Sequence, residues 1–424
     1  MRSWTPCLAA AALLAGLHAP AAWAEPVADI HALASAEQAP LLDTLRELVG
    51  IESGSKDPQG LAQLAALIRD RLVQLGGQVR LIQSEDVYRM EDTPPRQGAM
   101  VHAEFKGQGS KKIMLIAHMD TVYLRGMLKD QPFRIDGDRA YGLAILDDKQ
   151  GVALILHTVA MLQKLGFRDY DTLTVLINGD EEISSPASRS TITRMAADQD
   201  AVFSFEGGGD SGNLRLATSG IGSAYLTVEG RASHAGAAPE KGVNALVELS
   251  HQILQLSDLS KPAEGLTLHW TVSQAGTNRN VIPARASAQA DARALRLADF
   301  DALQATLQQR VKTQRLPEAK VGLHFEIRRP PLEATPASRS LGDRAVAIYR
   351  ELGLPLKVLE KATGGGTDAA FAFVKARGPV IEGFGLSGSG SHSNNAEYVK
   401  LDSIVPRLYL ATRLVMDVAS GKAP

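Results

Sequence analysis

At 424 residues the chain is longer than one hydrophobic core usually spans, so two domains are expected. Its 45 basic and 47 acidic residues nearly cancel, which excludes a basic field for nucleic acid. The single cysteine, Cys7, excludes a disulfide framework and leaves any metal to His, Asp and Glu.

In chain order, Met1-Arg2 precede an apolar stretch from Cys7 to about Leu17, and then Ala22-Trp23-Ala24. A positive start, a short apolar core and an A-x-A site read as a secretory signal peptide, residues 1–24. The competing reading is a buried N-terminal helix; the stretch is too short to span a bilayer, and no other segment approaches that length. Export to a bacterial periplasm is expected, with no membrane partner. Two amphipathic helices are expected between Ile30 and Gly76, the second with Leu61, Leu64, Leu67 and Ile68 at helical spacing.

Strands then alternate with helices: Gln78–Gln83, Val101–Phe105, Ile113–Ala117, a helix over Gly151–Leu165, then Leu173–Ile177 and Ala201–Phe205. This predicts an α/β catalytic domain built on a mixed sheet. From about Gly220 the rhythm changes to strand Ser223–Gly230, helix Asn244–Leu259, strands His269–Ala275 and Arg285–Ala294, helix Asp299–Gln314 capped by Asp299, and strand Val321–Arg329. That is the β-α-β-β-α-β order of a ferredoxin-like unit. The expected division is 25–219 and 331–424 for the catalytic domain, with 220–330 inserted.

The chemistry-bearing residues gather at strand ends. His118-Met119-Asp120 follows the run Ile113–Ala117, where an imidazole with a carboxylate two residues on matches a metal ligand and its orienting partner. Asp147-Asp148 open the helix at Gly151, and Asp180-Glu181-Glu182 follow Leu173–Ile177. Glu206 ends Ala201–Phe205, and His392 lies in a late loop after Pro379–Phe384. Alone, each pattern also fits a helix cap or a solvated turn. Together, His118, the Asp147-Asp148 pair, one of Asp180-Glu181-Glu182, Glu206 and His392 offer five candidate ligands, a hard, mixed N/O donor set suited to two zinc ions, or to cobalt or manganese, sharing one carboxylate about 3.5–4 Å apart.

The runs His118-Met119-Asp120-Thr121-Val122, Asp147-Asp148-Lys149, Asp180-Glu181-Glu182, Ser204-Phe205-Glu206, Ser233-His234-Ala235-Gly236, Asn280-Val281-Ile282-Pro283, Gly365-Gly366-Thr367-Asp368-Ala369 and His392-Ser393 occur in order. As a set they resemble the dinuclear zinc exopeptidase and deacylase family, which includes aminoacylases, acetylornithine deacetylases, dipeptidases and, most similar, secreted bacterial glutamate carboxypeptidases.

The resemblance implies that Asp147 bridges two metals, His118 and Glu206 complete one site, and Glu182 and His392 the other. It implies Asp120 as the orienting partner of His118 and Glu181 as general base. His234 would stabilise the oxyanion in the partner subunit of a homodimer joined through the inserted domain. Asn280, Arg293, Arg329, Gly366 and Thr367 would hold substrate, the arginines gripping a free carboxylate; a structural salt bridge is the other reading for either arginine. The implied reaction is hydrolysis of the amide to a C-terminal amino acid, glutamate favoured, in N-acyl, folate-like or short-peptide substrates. A deacylase or dipeptidase of the same family is the alternative, and a non-catalytic solute-binding relative the more distant one. Two departures stand out. Ser184-Ser185-Pro186-Ala187-Ser188-Arg189 replaces a glycine-containing loop, and Asn213 occupies a place where the glutamate-specific relatives carry a lysine.

Overall fold

The computed structural model describes residues 25–393 and 396–423, so the segment read as a signal peptide lies outside the described residues. The central sheet has six strands in the order Gln78–Ile82, Met100–Lys106, Thr172–Asn178, Lys112–His118, Ala201–Ser204, Val380–Ile381. The first two pairings are antiparallel and the next three parallel, so the sheet is mixed as expected.

Period-two alternation explains why its central strands are aliphatic throughout. Ile113, Leu115 and Ala117 join the principal core, while Met114 and Ile116 join a second core on the opposite face. Helices Ala28–Val49, Gln150–Lys164 and Ile404–Ala419 supply Leu45, Ile155 and Leu414 to the first. The short helices Arg189–Ala196 and Ala369–Phe373 supply Ile192 and Phe371 to the second. Lys112–His118, Thr172–Asn178 and Ala201–Ser204 run parallel, so their carboxyl ends open on one edge. Ligands bind at that edge of an α/β sheet, and here it carries His118, Glu181, Glu182 and Glu206.

A separate antiparallel sheet, in the order Thr267–Ala275, Arg285–Ala294, Gly220–Glu229, Lys320–Arg329, carries helices Ala245–Leu256 and Leu297–Arg310 on one face. Leu226, Val228, Leu249, Phe300 and Leu307 form a core of their own there. The β-α-β-β-α-β order is the one expected. Asn244 caps the first helix through bonds from the amides of Leu246 and Val247.

Asp299 is corrected as a cap. The helix starts at Leu297 with Arg296 at its N-cap, and Asp299 sits inside the first turn, where the Arg296 guanidinium grips both its oxygens at 2.8 and 3.1 Å. Pro379–Phe384 is also shorter as a strand than expected. Only Val380–Ile381 pair with the sheet, because Glu382 turns to bond the backbone of Arg215. Among the described residues, no helix is long and apolar enough to cross a membrane.

Candidate metal centre

His118 is the last residue of its strand and is buried. Its Nδ1 lies 3.1 Å from the Asp120 carbonyl and 3.3 Å from the Asp120 carboxylate, so that nitrogen carries the proton. Nε2 then offers its lone pair between Asp147 Oδ1 at 3.1 Å and Glu206 Oε1 at 3.3 Å. On the other side, His392 Nε2 lies 3.3 Å from Asp147 Oδ2 and 3.2 Å from Glu182 Oε2. The two oxygens of Asp147 thus face two different histidines.

Donor atoms held 2.0–2.2 Å from a tetrahedral cation lie roughly 3.4 Å apart, so these separations match the edges of metal polyhedra. Asp147, Glu182 and His392 form one group of converging donors, and His118, Glu206 and Glu181 another. The residues present therefore fit metal binding, with Asp147 Oδ1 of the one group also 3.1 Å from His118 Nε2 of the other.

The electrostatics agree with that fit. Burial, reinforced by Asp147, pushes Glu182 up to about 7. Burial also raises Glu181 well above the carboxylate range, against the pull of Arg329. Burial disfavours a charged His118, yet Glu206, Asp120 and Asp147 overcome it and raise its pKa. Hydrogen bonds to Asp147 and Glu182 lift His392 to about 11. So many acids at one buried point demand positive charge, from protons or from cations.

Local structure aims these groups. Asp120 is fully buried and accepts from Ser55 Oγ at 2.7 Å and from the amides of Glu181 and Glu182 at 3.0 and 3.1 Å. It orients His118 and shapes the turn bearing the next two acids at once. Glu397 accepts from the amides of Leu146 and Asp147 at 2.8 and 2.9 Å and from the Tyr123 hydroxyl, fixing the backbone at Asp147. The Asp147–Asp148 peptide is cis, and Asp148 turns away to accept from Gln150 and the His118 amide. Asp180 belongs to the scaffold: the Ala187 and Ser188 amides and the Ser188 hydroxyl donate to it. His392 has φ 62°, a left-handed conformation rare outside glycine, with Gly390 two residues before it at φ 90°.

Arg329, expected to hold substrate, is buried here, with Nη1 donating to Asp368 at 2.7 Å. Its Nη2 donates to the Glu181 carbonyl at 2.8 Å and lies 2.9 Å from the Glu181 carboxylate. The strand Lys320–Arg329 ends against the Asp180–Glu182 turn, and its guanidinium holds Glu181 and Asp368, with Nε left without a hydrogen-bond partner among the described residues. Asp368 also receives Asn178 and Ser185, so the altered Ser184–Arg189 loop is part of the support.

Arg293 grips Asp291 and donates to the Gly364 carbonyl at 3.2 Å, tying the inserted sheet to the Gly364–Gly366 loop. A Cβ on Gly366 would meet the Ser219 carbonyl at 2.8 Å and the Arg329 side chain at 3.0 Å, which explains the glycine. Thr367 donates to Glu382 at 3.0 Å.

His234 and Asn280 stand apart, exposed on a ribbon in which Ser233–His234 pairs with Val281–Ile282. Nδ1 of His234 accepts from the Gly236 and Ala237 amides at 3.1 and 3.0 Å, so its proton sits on Nε2, facing outward as a donor. Among the described residues, neither makes a hydrogen bond to the metal centre.

Two cavities flank the centre. One, of about 230 Å³, is bordered by Asp147, Glu206, Arg215, Thr367 and Glu382. The other, of about 460 Å³, is bordered by Glu182, Val122, Tyr123, Leu124 and Ile183.

The family model for Peptidase family M20/M25/M40 matches residues 114–417. Carboxypeptidase G2 of Pseudomonas sp. (strain RS-16) is 45% identical over 391 residues, 92% of each chain. The chain belongs to peptidase family M20/M25/M40. Among solved structures, a tripeptidase from Staphylococcus aureus subsp. aureus Mu50 superposes with a TM-score of 0.75 at 18% identity, over 90% of this chain and 99% of that one. An M20 family metallo-carboxypeptidase, Sso-CP2 from Sulfolobus solfataricus, gives 0.72 at 16% identity over the same shares. At these identities the likeness is one of fold. It places this M20 peptidase among proteins of the same architecture, and the converging donors of the centre agree with a metallopeptidase.

Proposed function

We propose that this M20 peptidase is a two-zinc carboxypeptidase that releases a C-terminal amino acid, glutamate foremost, from N-acyl, folate-like or short-peptide substrates. The observation that carries the reading is Asp147, whose two oxygens each face a different histidine while Glu181 is clamped alongside by Arg329. His118 and Glu206 would hold one ion, Glu182 and His392 the other, and Asp147 both. When bound, such ions acidify a shared water toward a pKa of about 7 and polarise the scissile carbonyl.

The chain's own groups do the rest. Glu181 accepts the proton of the attacking water and passes it to the departing amine nitrogen. Asp120 keeps the His118 proton on Nδ1 and holds the Glu181 and Glu182 amides. Arg329 fixes the Glu181 carboxylate so that proton transfer has one geometry.

The outward Nε2 of His234 is suited to an oxyanion donor supplied to a second subunit. A homodimer through the inserted unit is supported by its edge strand Thr267–Ala275 and by exposed Leu254 and Val272. Export to the periplasm is supported by the N-terminal charge and A-x-A pattern. Carboxypeptidase G2, covered over 92% of its length, favours this reading over a deacylase or dipeptidase. The test is hydrolysis by the zinc-loaded enzyme of one N-acyl series ending in Glu, Asp, Leu, Lys and Phe. Release of the terminal amino acid, fastest for Glu, is expected; release from none of them would end the proposal.

A further inference from the structure

Both cavities beside the metal centre carry charged residues, but in the larger one Arg125 is paired with Asp57, whereas the one of about 230 Å³ sets Arg215 beside Asp147, Glu206 and Glu382. Drug-sized ligands occupy about 300–1,000 Å³, so this space suits a single amino-acid side chain. Asp147 and Glu206 border it on the side of the reacting centre, and Arg215 borders it as well.

Strand geometry aims Arg215 there. Leu214 and Leu216 lie in the principal core, so the alternate residues Asn213, Arg215 and Ala217 share the opposite, partly exposed face. Arg215 and Glu382 exchange backbone hydrogen bonds, which sets their side chains next to each other.

The guanidinium is held but not consumed. Nη1 donates to the Gly207 carbonyl at 3.0 Å, pinning it one residue from Glu206. Glu382 is 3.8 Å away, near enough to attract the fork and too far to take a hydrogen bond from it. Among the described residues, Nη2 and Nε donate to no acceptor, and the side chain keeps 23% exposure. Glu382 itself is buried, accepts from Thr367, and has an Oε1 with no hydrogen-bond partner among the described residues. Open guanidinium donors fixed beside the reacting centre match the planar, bidentate geometry of a carboxylate.

We propose that Arg215 selects the released amino acid by binding the carboxylate of its side chain in this cavity, so that acidic residues are preferred. The proposal rests on the carboxypeptidase reading. It also answers the departure at Asn213, because a cation stands two residues on, on the same strand face. Glu382 and Thr367 act as positioning residues that keep the fork from swinging out.

The experiment compares kcat/KM of the zinc-loaded, full-length enzyme for one N-acyl group ending in Glu or in the isosteric Gln, in wild type, Arg215→Gln and Arg215→Lys. Wild type should prefer Glu by about 100-fold, because Gln leaves the fork without its charged partner. Arg215→Gln should collapse that ratio to within about fivefold, and Arg215→Lys should restore part of it, since a point charge replaces a fork. A ratio unchanged in Arg215→Gln, with both substrates slowed equally, would overturn the proposal as a merely structural effect. Product inhibition of wild type gives a reading independent of how the variants fold: free glutamate should inhibit far more strongly than glutamine, and equal inhibition would also overturn it. If wild type cleaves neither substrate, the carboxypeptidase reading itself fails. Cleavage of both without a Glu preference removes only Arg215.

Discussion

Arg329 donates to both the carbonyl and the carboxylate of Glu181, and its other hand holds Asp368. Replacing it with methionine leaves two buried acids without their cation, a loss of about 3–5 kcal/mol by analogy with broken buried pairs. Arg329 pulls the Glu181 pKa down, so its removal raises that pKa further. A base works only when ionised, and the acid limb of kcat/KM should therefore move to higher pH in Arg329→Met. An unmoved limb would show that Glu181 and Arg329 are not coupled. His234→Ala should lower turnover by about 10²–10³, as expected for loss of an oxyanion donor. Mixing His234→Ala subunits with Glu181→Gln subunits should recover part of the activity, because one site then has both groups intact. No recovery would place His234 outside the partner's site.

The candidate ligands at His118, in Asp180-Glu181-Glu182 and at Glu206 stood out in the sequence because each follows an aliphatic strand, and those strand ends share one edge of the sheet; Asp147, at a helix start, and His392, in a loop, stood out by the family resemblance. What holds them was not readable. Glu397 bonds Asp147 across 250 positions, and Arg329 bonds Glu181 across 148. Such contacts leave no local periodicity, so neither Glu397 beneath Asp147 nor the hold of Arg329 on Glu181 left a sign in the sequence. Arg215 was hidden for a related reason, since a two-residue strand carries almost no pattern.

The helix pair Ala28–Val49 and Gln150–Lys164 carries its own test. Glu37 accepts from His157 Nδ1 at 2.6 Å and from Lys164, while Thr44 donates to His157 Nε2 at 2.9 Å. This network fixes His157 as the neutral tautomer with its proton on Nδ1. Burial lowers the His157 pKa, outweighing Glu37. Burial opposes the Glu37 charge, but Lys164 and His157 lower its pKa overall. Both folded values are depressed, so both groups stabilise the fold at neutral pH. That stability fades as pH falls below 6.5 for His157, and below 4.5 for Glu37, as the unfolded chain takes up protons first. Glu37→Gln should flatten the acid limb of a denaturation midpoint measured against pH; an unaltered slope would show that the network contributes nothing.

At the scale of the whole molecule, the inserted sheet has its own core, yet it is tied to the catalytic sheet by Arg293 on Gly364, Arg189 on the Arg328 carbonyl, and Arg329 on Glu181. Those ties meet the turn and loop that border the metal centre. Ions that bind only the folded chain stabilise it by mass action, about 4 kcal/mol at a thousandfold excess over Kd. Chelation should therefore lower Tm, and restoring zinc should raise it again; a Tm indifferent to chelator would argue against a preformed centre. The most direct measurement of the central claim is metal content and turnover of Glu181→Gln, side by side with wild type. Two zinc ions retained per chain, with turnover reduced by about 10²–10⁴, is the result expected of a base that holds no metal. Loss of zinc from the variant, or turnover close to wild type, would contradict it.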